Sequence, residues 1–354
     1  MRRFLLTLTL AGVVVGLAAG PAGACGGLIG RNGAVNLLKT TTLAAYTGGV
    51  EHYVTSFEFA GAGGEFGSIV PLPGVPASVE RGGDWTLQRL VREVRPPVSV
   101  LAATARANSG AVADEAQVLL EKRIDALDLT VLRGGAQAVG RWAADHGFLL
   151  PPDAPEVLDF YASRSPIFLA ARFDADAARQ RGVAIGDGTP IHLAIPTDNP
   201  WVPLRILALG RQPAERVNAD VFLLTDRRPT LLPGEGAAGL RLQSQGPASS
   251  SLLDDLRSDK GMAWVPQSSW LTYLQVDAAP SELTYDLAVD ASGTGQPSRL
   301  AAGLEGVPVA APRPPADAGG AGSAWPLAAA VGAGVAVLAA AAVAVAAGRG
   351  RRPA

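Results

Sequence analysis

Apolar and polar positions alternate with a period of two through most of this chain, interrupted by a few stretches of helical period. In residues 50–59 (VEHYVTSFEF), Tyr53, Thr55, Phe57 and Phe59 share one face, while His52, Ser56 and Glu58 share the other. That is the pattern of a strand with one buried side. Residues 34–46 (AVNLLKTTTLAAY) are joined to it by Thr47-Gly48-Gly49, which predicts a β-hairpin with glycines in the turn. A third strand is predicted in FGSIVPLP, ending at Pro71 and Pro73 because proline cannot extend an inner ladder. Further strands are predicted in VLLEKRIDALDLTVLRGG, PIFLAARF, PIHLAIP, VPLRILALG, VNADVFLLTD, WLTYLQVD and LTYDLAVD.

Helical period appears in four places. Asp84 reads as the N-cap of DWTLQRLVREV, with Trp85, Leu87, Leu90, Val91 and Val94 as its buried stripe. AQAVGRWAADHG is closed by Gly147, and Asp153-Ala154-Pro155 opens a short helix through Tyr161. Ser251 is expected to cap LLDDLRSDK. The elements do not follow a regular βαβ alternation, so the expected class is α+β: a strand-rich domain with about four helices. YVTSFEF then SIVPLPGVP is echoed by IFLAARF then HLAIPTDNPWVP, as a distant duplication or as two ordinary hairpins.

The two ends differ from the body. Residues 5–19 are apolar after Arg2 and Arg3, and Ala22 and Ala24 occupy the positions a signal peptidase reads before Cys25. Residues 1–24 are therefore expected to be a signal peptide. Cys25 is also the residue a lipoprotein peptidase would lipidate, although Ala22 stands where that machinery usually reads leucine. Residues 324–347 are apolar and uncharged and are followed by Arg349, Arg351 and Arg352. About 20 apolar residues span a bilayer and positive flanks stay cytoplasmic, so a single C-terminal transmembrane helix is expected, with 348–354 as a cytoplasmic tail. The body, 25–290, is expected outside the membrane as one domain or as two subdomains meeting near 101–116. A Pro/Gly/Ala-rich stalk over 291–323 would tether it.

Charge narrows the partners. With 30 basic and 32 acidic residues there is no electrostatic case for nucleic acid. Cys25 is the only cysteine, so no intramolecular disulfide can form. Of His52, His146 and His192, no pair has metal-binding spacing, and each is expected to be satisfied or solvated. DADAARQRGVAIGDG lacks the early glycine and closing glutamate of a calcium loop, and no G-x-S-x-G elbow is present. Trp264 and Trp270 bracket VPQSS as a sugar-stacking edge or as core packing. No catalytic set, cofactor or metal is expected. The open question is how Glu51, His52, Glu58, Asp84, His192 and Asp198 cluster in space.

ACGGL after the signal, then YVTSFEFAGAGGEFGSIVPLPGVPASVERGGDWTLQRL, resembles a family of exported bacterial proteins known as domain of unknown function number twenty-three thirty. LTVLRGGAQAVGRWAADHGFLLPPDAPEVLDFYASRSPIFLAARF and PIHLAIPTDNPWVPLRI extend the likeness over most of 24–225. Relatives carry a second cysteine soon after the first; here Leu28, Ile29 and Gly30 follow, so a dithiol role does not carry over. The resemblance implies an exported domain and supplies no catalytic residues. The expected function is that of a membrane-anchored extracytoplasmic binding or cell-envelope structural protein. It would contact the bilayer through 324–347 and an envelope protein or wall polymer through its body. The alternative is an exported hydrolase or other envelope enzyme whose site is not readable from sequence.

Overall fold

The structure is a computed structural model and describes residues 27–31, 33–34, 40–57, 65–95, 118–180, 189–234, 236–290 and 295–305. Ala22, Ala24, Cys25, the 101–116 segment, the 324–347 span, Arg349, Arg351 and Arg352 lie outside the described residues. Among the described residues no helix is long and apolar enough to cross a membrane.

The strands are β1 (Gly27–Gly30), β2 (Gly33–Ala34), β3 (Thr40–Thr47), β4 (Val50–Phe57), β5 (Phe66–Leu72), β6 (Ser78–Arg81), β7 (Val118–Ile124) and β8 (Leu127–Arg133). They continue with β9 (Ile167–Phe173), β10 (Thr189–Pro196), β11 (Trp201–Val202), β12 (Val217–Thr225), β13 (Thr230–Leu232), β14 (Leu240–Pro247), β15 (Trp270–Ala278) and β16 (Leu287–Asp290). The helices are α1 (Thr86–Val94), α2 (Ala136–Asp145), α3 (Ala154–Ala162), the single-turn α4 (Ala175–Gln180) and α5 (Ser250–Ser258). The protein is α+β and strand-rich.

A large sheet has the order β14-β15-β12-β3-β4-β10-β6, a second β2-β1-β5-β9-β8-β7, and a small one β11-β16-β13. Among the described residues every pairing is antiparallel except β3 with β12. The large sheet is buried on both faces. Ala44, Tyr53, Val79, Leu193 and Leu223 face a main core shared with Ile69, Val70, Leu129 and Val131 of the second sheet and with α2 and α3. Leu43, Val54, Phe222, Leu224 and Tyr273 face the other way, under α1 and α5. This double burial explains why β12 is apolar on both faces over Val221–Leu224.

The hairpin over β3 and β4 forms as expected, with Gly48 and Gly49 at φ +59° and +79° in a two-residue turn. Pro71 lies inside β5 instead of ending it. Among the described residues β1 pairs with Phe66–Ile69, and Pro71 stands opposite Phe168 of β9. The sequence echo is not a pair of hairpins: β4 and β10 pair in the large sheet, while β5 and β9 pair in the second. The VPLRILALG segment is not a strand. After β11 it turns into a 3-10 helix, Arg205–Ala208. Residues 295–305, assigned above to the stalk, belong to the body, with Ala301 and Ala302 buried in the main core.

One buried ion pair joins several of these parts. Asp286, just before β16, is fully buried and accepts from Arg164 Nη2 (2.6 Å), Tyr161 Oη (2.8 Å) and the backbone N–H groups of Leu204 (2.7 Å) and Arg205 (3.0 Å). Arg164 also donates to the carbonyl of Ala301 at 2.6 Å.

Two helix caps differ from expectation. Ser249, two residues before the expected Ser251, caps α5 by accepting from Leu252 N at 3.1 Å. At α1 the cap comes from a distant segment. Asp84 pairs with Arg81 instead, and the buried Asp259 carboxylate accepts from Asp84 N (3.0 Å), Trp85 N (2.9 Å) and Thr86 Oγ1 (2.8 Å). Trp85 is consequently turned out, 38% exposed, and is not part of the buried stripe. Glycine is required at 83, because a Cβ there would lie 2.3 Å from Asp259 Oδ2. Asp259→Ala is expected to cost about 2 kcal/mol, since it strips a helix N-terminus and a buried hydroxyl of their acceptor at once. Asp84→Ala, which loses only an exposed pair, should cost under about 1 kcal/mol. Urea unfolding of the two variants checks the order; equal losses would show that Asp84 caps after all.

Candidate functional site

The alternation of β4 sends Glu51 and His52 to opposite faces of the large sheet, and the two end in different surroundings. His52 stands across from Ala194 on β10, and His192 across from Val54, so the two imidazoles are diagonal neighbours on one face. His52 Nδ1 and His192 Nε2 are 2.9 Å apart. The ring centroids lie 5.1 Å apart with planes 13° from parallel, the spacing of two rings joined edge to edge through that bond. The indole of Trp264 lies flat over both, 4.1 Å from His52 and 4.9 Å from His192. Trp264 is thus packing, not an open stacking edge.

Burial pushes both histidines down to about 4, with the neighbouring His52 adding to the effect on His192. Both are neutral near pH 7, and one N–H fills one lone pair between them. The third histidine is elsewhere. His146 stands at the C-cap of α2, donates Nδ1–H to the Trp142 carbonyl at 2.7 Å and stacks on that indole.

Glu51 faces the main core and is 1% exposed. Its Oε2 accepts from Trp201 N at 3.2 Å, while its buried Oε1 has no partner. A cavity of about 10 Å³ beside it, lined by Tyr46, Pro200, Trp201 and Val289 among others, has room for one water-sized sphere. Burial raises Glu51 to about 8, opposed by the Trp201 N–H. Of the other sequence candidates, Glu58 lies outside the described residues, Asp84 is held by Arg81, and Asp198 lies near Tyr46, whose phenol is raised first by burial and then by that carboxylate.

The open concavity lies on the second sheet. A cleft of about 400 Å³ is lined by Glu121, Lys122 and Arg123 of β7, Asp128, Leu129 and Thr130 of β8, Arg172 of β9, and His146. Cross-strand register puts Arg123 opposite Asp128, and Asp128 opposite Arg172. Ion pairs continue the row from Arg31 to Glu65 (2.5 Å), Glu65 to Arg172 (3.8 Å), Arg172 to Asp128 (2.7 Å), Asp128 to Arg123 (2.8 Å) and Arg123 to Asp174 (2.6 Å). Sequence reading missed this row; a two-residue turn at Asp125-Ala126 within VLLEKRIDALDLTVLRGG was the signal that would have aligned it. Among the described residues no group of three His, Cys, Asp or Glu is placed to hold a metal ion.

Glu51 makes stability fall as pH rises. Between its usual 4.5 and about 8 the unfolded chain has released a proton that the folded chain keeps. This costs on the order of 3 kcal/mol at about pH 7. Glu51→Gln should therefore raise the urea midpoint at about pH 8 and leave it unchanged near pH 4. An equal effect at both pH values would mean that the carboxyl is not carried protonated.

Comparison with known proteins adds the family. Two solved structures of baculovirus P35 are among the matches to the chain. The mutated form after caspase cleavage is 7% identical with a TM-score of 0.36, covering 71% of this chain and 98% of that one. The second is 10% identical with a TM-score of 0.34, covering 72% and 91%. Likeness at that level carries no argument about fold or role. No curated protein matches the chain. The family model described as "Uncharacterized protein conserved in bacteria (DUF2330)" matches residues 19–231, well over half of the sequence and all of the strands from β1 to β12. The chain belongs to this bacterial family.

Proposed function

We propose that the protein is a membrane-anchored, extracytoplasmic binding or cell-envelope structural protein, and that the charged cleft on the second sheet is its recognition surface. The supporting observation is a separation. The groups whose ionisation is strongly perturbed, Glu51, His52 and His192, do not line the cleft. In enzymes such groups gather where chemistry is done. The cleft has the volume of a small-ligand site, and its walls combine the ion-paired Arg123, Asp128 and Arg172 with Glu121, Lys122, Thr130 and His146. Alternating charges at fixed cross-strand spacing suit a ligand carrying both signs, such as a wall peptide with free amine and carboxylate groups.

The anchoring half of the reading rests on the apolar 324–347 run and Arg349, Arg351 and Arg352. External protease on intact protoplasts should remove the body and spare a tag placed after Ala354; digestion of the tag alone would overturn this topology. For the cleft, wall-derived stem peptides titrated onto the full chain in detergent should bind. Lys122→Glu should weaken that binding at least about tenfold, the equivalent of roughly 1.4 kcal/mol. Hydrolysis of the added peptide, lost on replacing His146 or a cleft carboxylate, would instead make the protein an enzyme.

A further inference from the structure

We infer that the His52–His192–Trp264 stack is an acid-sensitive latch that holds the 259–269 segment on the large sheet. The geometry defines the device. Two imidazoles nearly in one plane are joined at 2.9 Å, and one indole covers both. His192 is 5% exposed, so the bond is sealed beneath the ring.

A neutral imidazole pair holds one N–H and one lone pair at its bridge. A first proton goes to the outer nitrogen of the donor ring and leaves the bridge intact, as an imidazolium donating to an imidazole. A second proton has only the bridging lone pair of the acceptor ring to occupy. Taking it breaks the bridge and sets two N–H groups of like-charged rings against each other. The two steps belong to the pair, and the second is the one that opens it. Burial of both rings lowers the pH at which this happens.

The charged groups around the pair leave this order unchanged. Glu80 of β6 stands directly across from His192 and is exposed, so solvent screens its charge from the buried rings. Arg81 on the same strand is held by Asp84. From the segment that carries Trp264, Asp259 is committed to α1 and Lys260 is exposed. On α1 and α5, Arg89 is paired with Glu93 and Asp255, and Arg257 with Asp254. The latch also has a mechanical consequence. Trp264 and Asp259 lie on the same short segment, so unseating the indole loosens the carboxylate that caps α1. Use of the latch as a sensor rests on the extracytoplasmic placement proposed above; the latch itself does not.

The test is ¹⁵N NMR of the full chain in detergent with labelled histidine, of which there are three, alongside tryptophan emission from about pH 7 to about pH 3. Two of the three imidazoles should titrate as a coupled pair with midpoints below about 5, and emission from Trp264 should follow the second step. The emission change should vanish in Trp264→Phe. In His192→Gln, which keeps a hydrogen-bonding side chain and cannot charge, the acid step should disappear while the neutral-pH circular dichroism is retained. If His192→Gln does not fold, His52→Gln, at the more exposed ring, serves the same comparison. Independent titration of His52 and His192 near their usual 6.5, or an emission step that survives in a folded glutamine variant, would overturn the latch.

Discussion

The buried pair between Arg164 and Asp286 is the interaction on which the middle of this fold depends. Burial drives Asp286 upward, while Arg164 and the Arg205 N–H pull it back. A buried charge is tolerated only when its hydrogen-bonding capacity is filled, and four donors converge on this one. The donors come from α3, from the stretch after α3 and from the 3-10 turn after β11, so satisfying one carboxylate fixes the relative positions of them all. Arg164 lies over Phe160, Tyr161 and Trp201 at 4.0, 4.9 and 4.8 Å, which places its weakly hydrated plane against aromatic faces. Such a pair adds little net stability over an apolar substitute. What it contributes is specificity, since only one arrangement of these segments leaves no charge unmet.

This constraint also explains the segment that the apolar pattern misreads. VPLRILALG has the composition of a strand, but the N–H groups of Leu204 and Arg205 are taken by Asp286 and that of Ile206 by the Tyr161 hydroxyl at 2.8 Å. With those donors already satisfied by side chains, the backbone turns instead of joining a ladder. Propensity is a weak prior against a buried acceptor of this strength. The same holds for α1, where the acceptor Asp259 lies 175 residues from Asp84 and no local window reveals it.

What was legible in the sequence was what is local. The Gly48-Gly49 turn fixes the β3–β4 hairpin and its register, and Asp153-Ala154-Pro155 fixes the start of α3. Strand identity followed from alternation for β4, β9, β10 and β15, and the resemblance to the family reached nearly the boundaries that the family match shows. The strand order was not legible, because β3 pairs in parallel with β12 across almost the whole body. The long-range features of the candidate sites depend on that order. His52 and His192 meet across 140 residues, and the ionic row on β7, β8 and β9 exists only once β9 lies beside β8.

Placement on a sheet buried from both sides gives Glu51 and His52 opposite roles, although they are adjacent. Each sits in an apolar layer that resists its charged form, so the acid is held protonated and the base deprotonated. Below about 6.5 the unfolded chain binds protons that His52 and His192 refuse, so their contribution to stability is lost as pH falls. Glu51 works in the other direction as pH rises. One strand therefore penalises both acid and alkali. An ordinary alternating strand with a solvated face would titrate its polar side freely. Here α1 and α5 turn the His52 side into core while the main core encloses Glu51, so the two layers convert two adjacent residues into opposed pH limits on the fold.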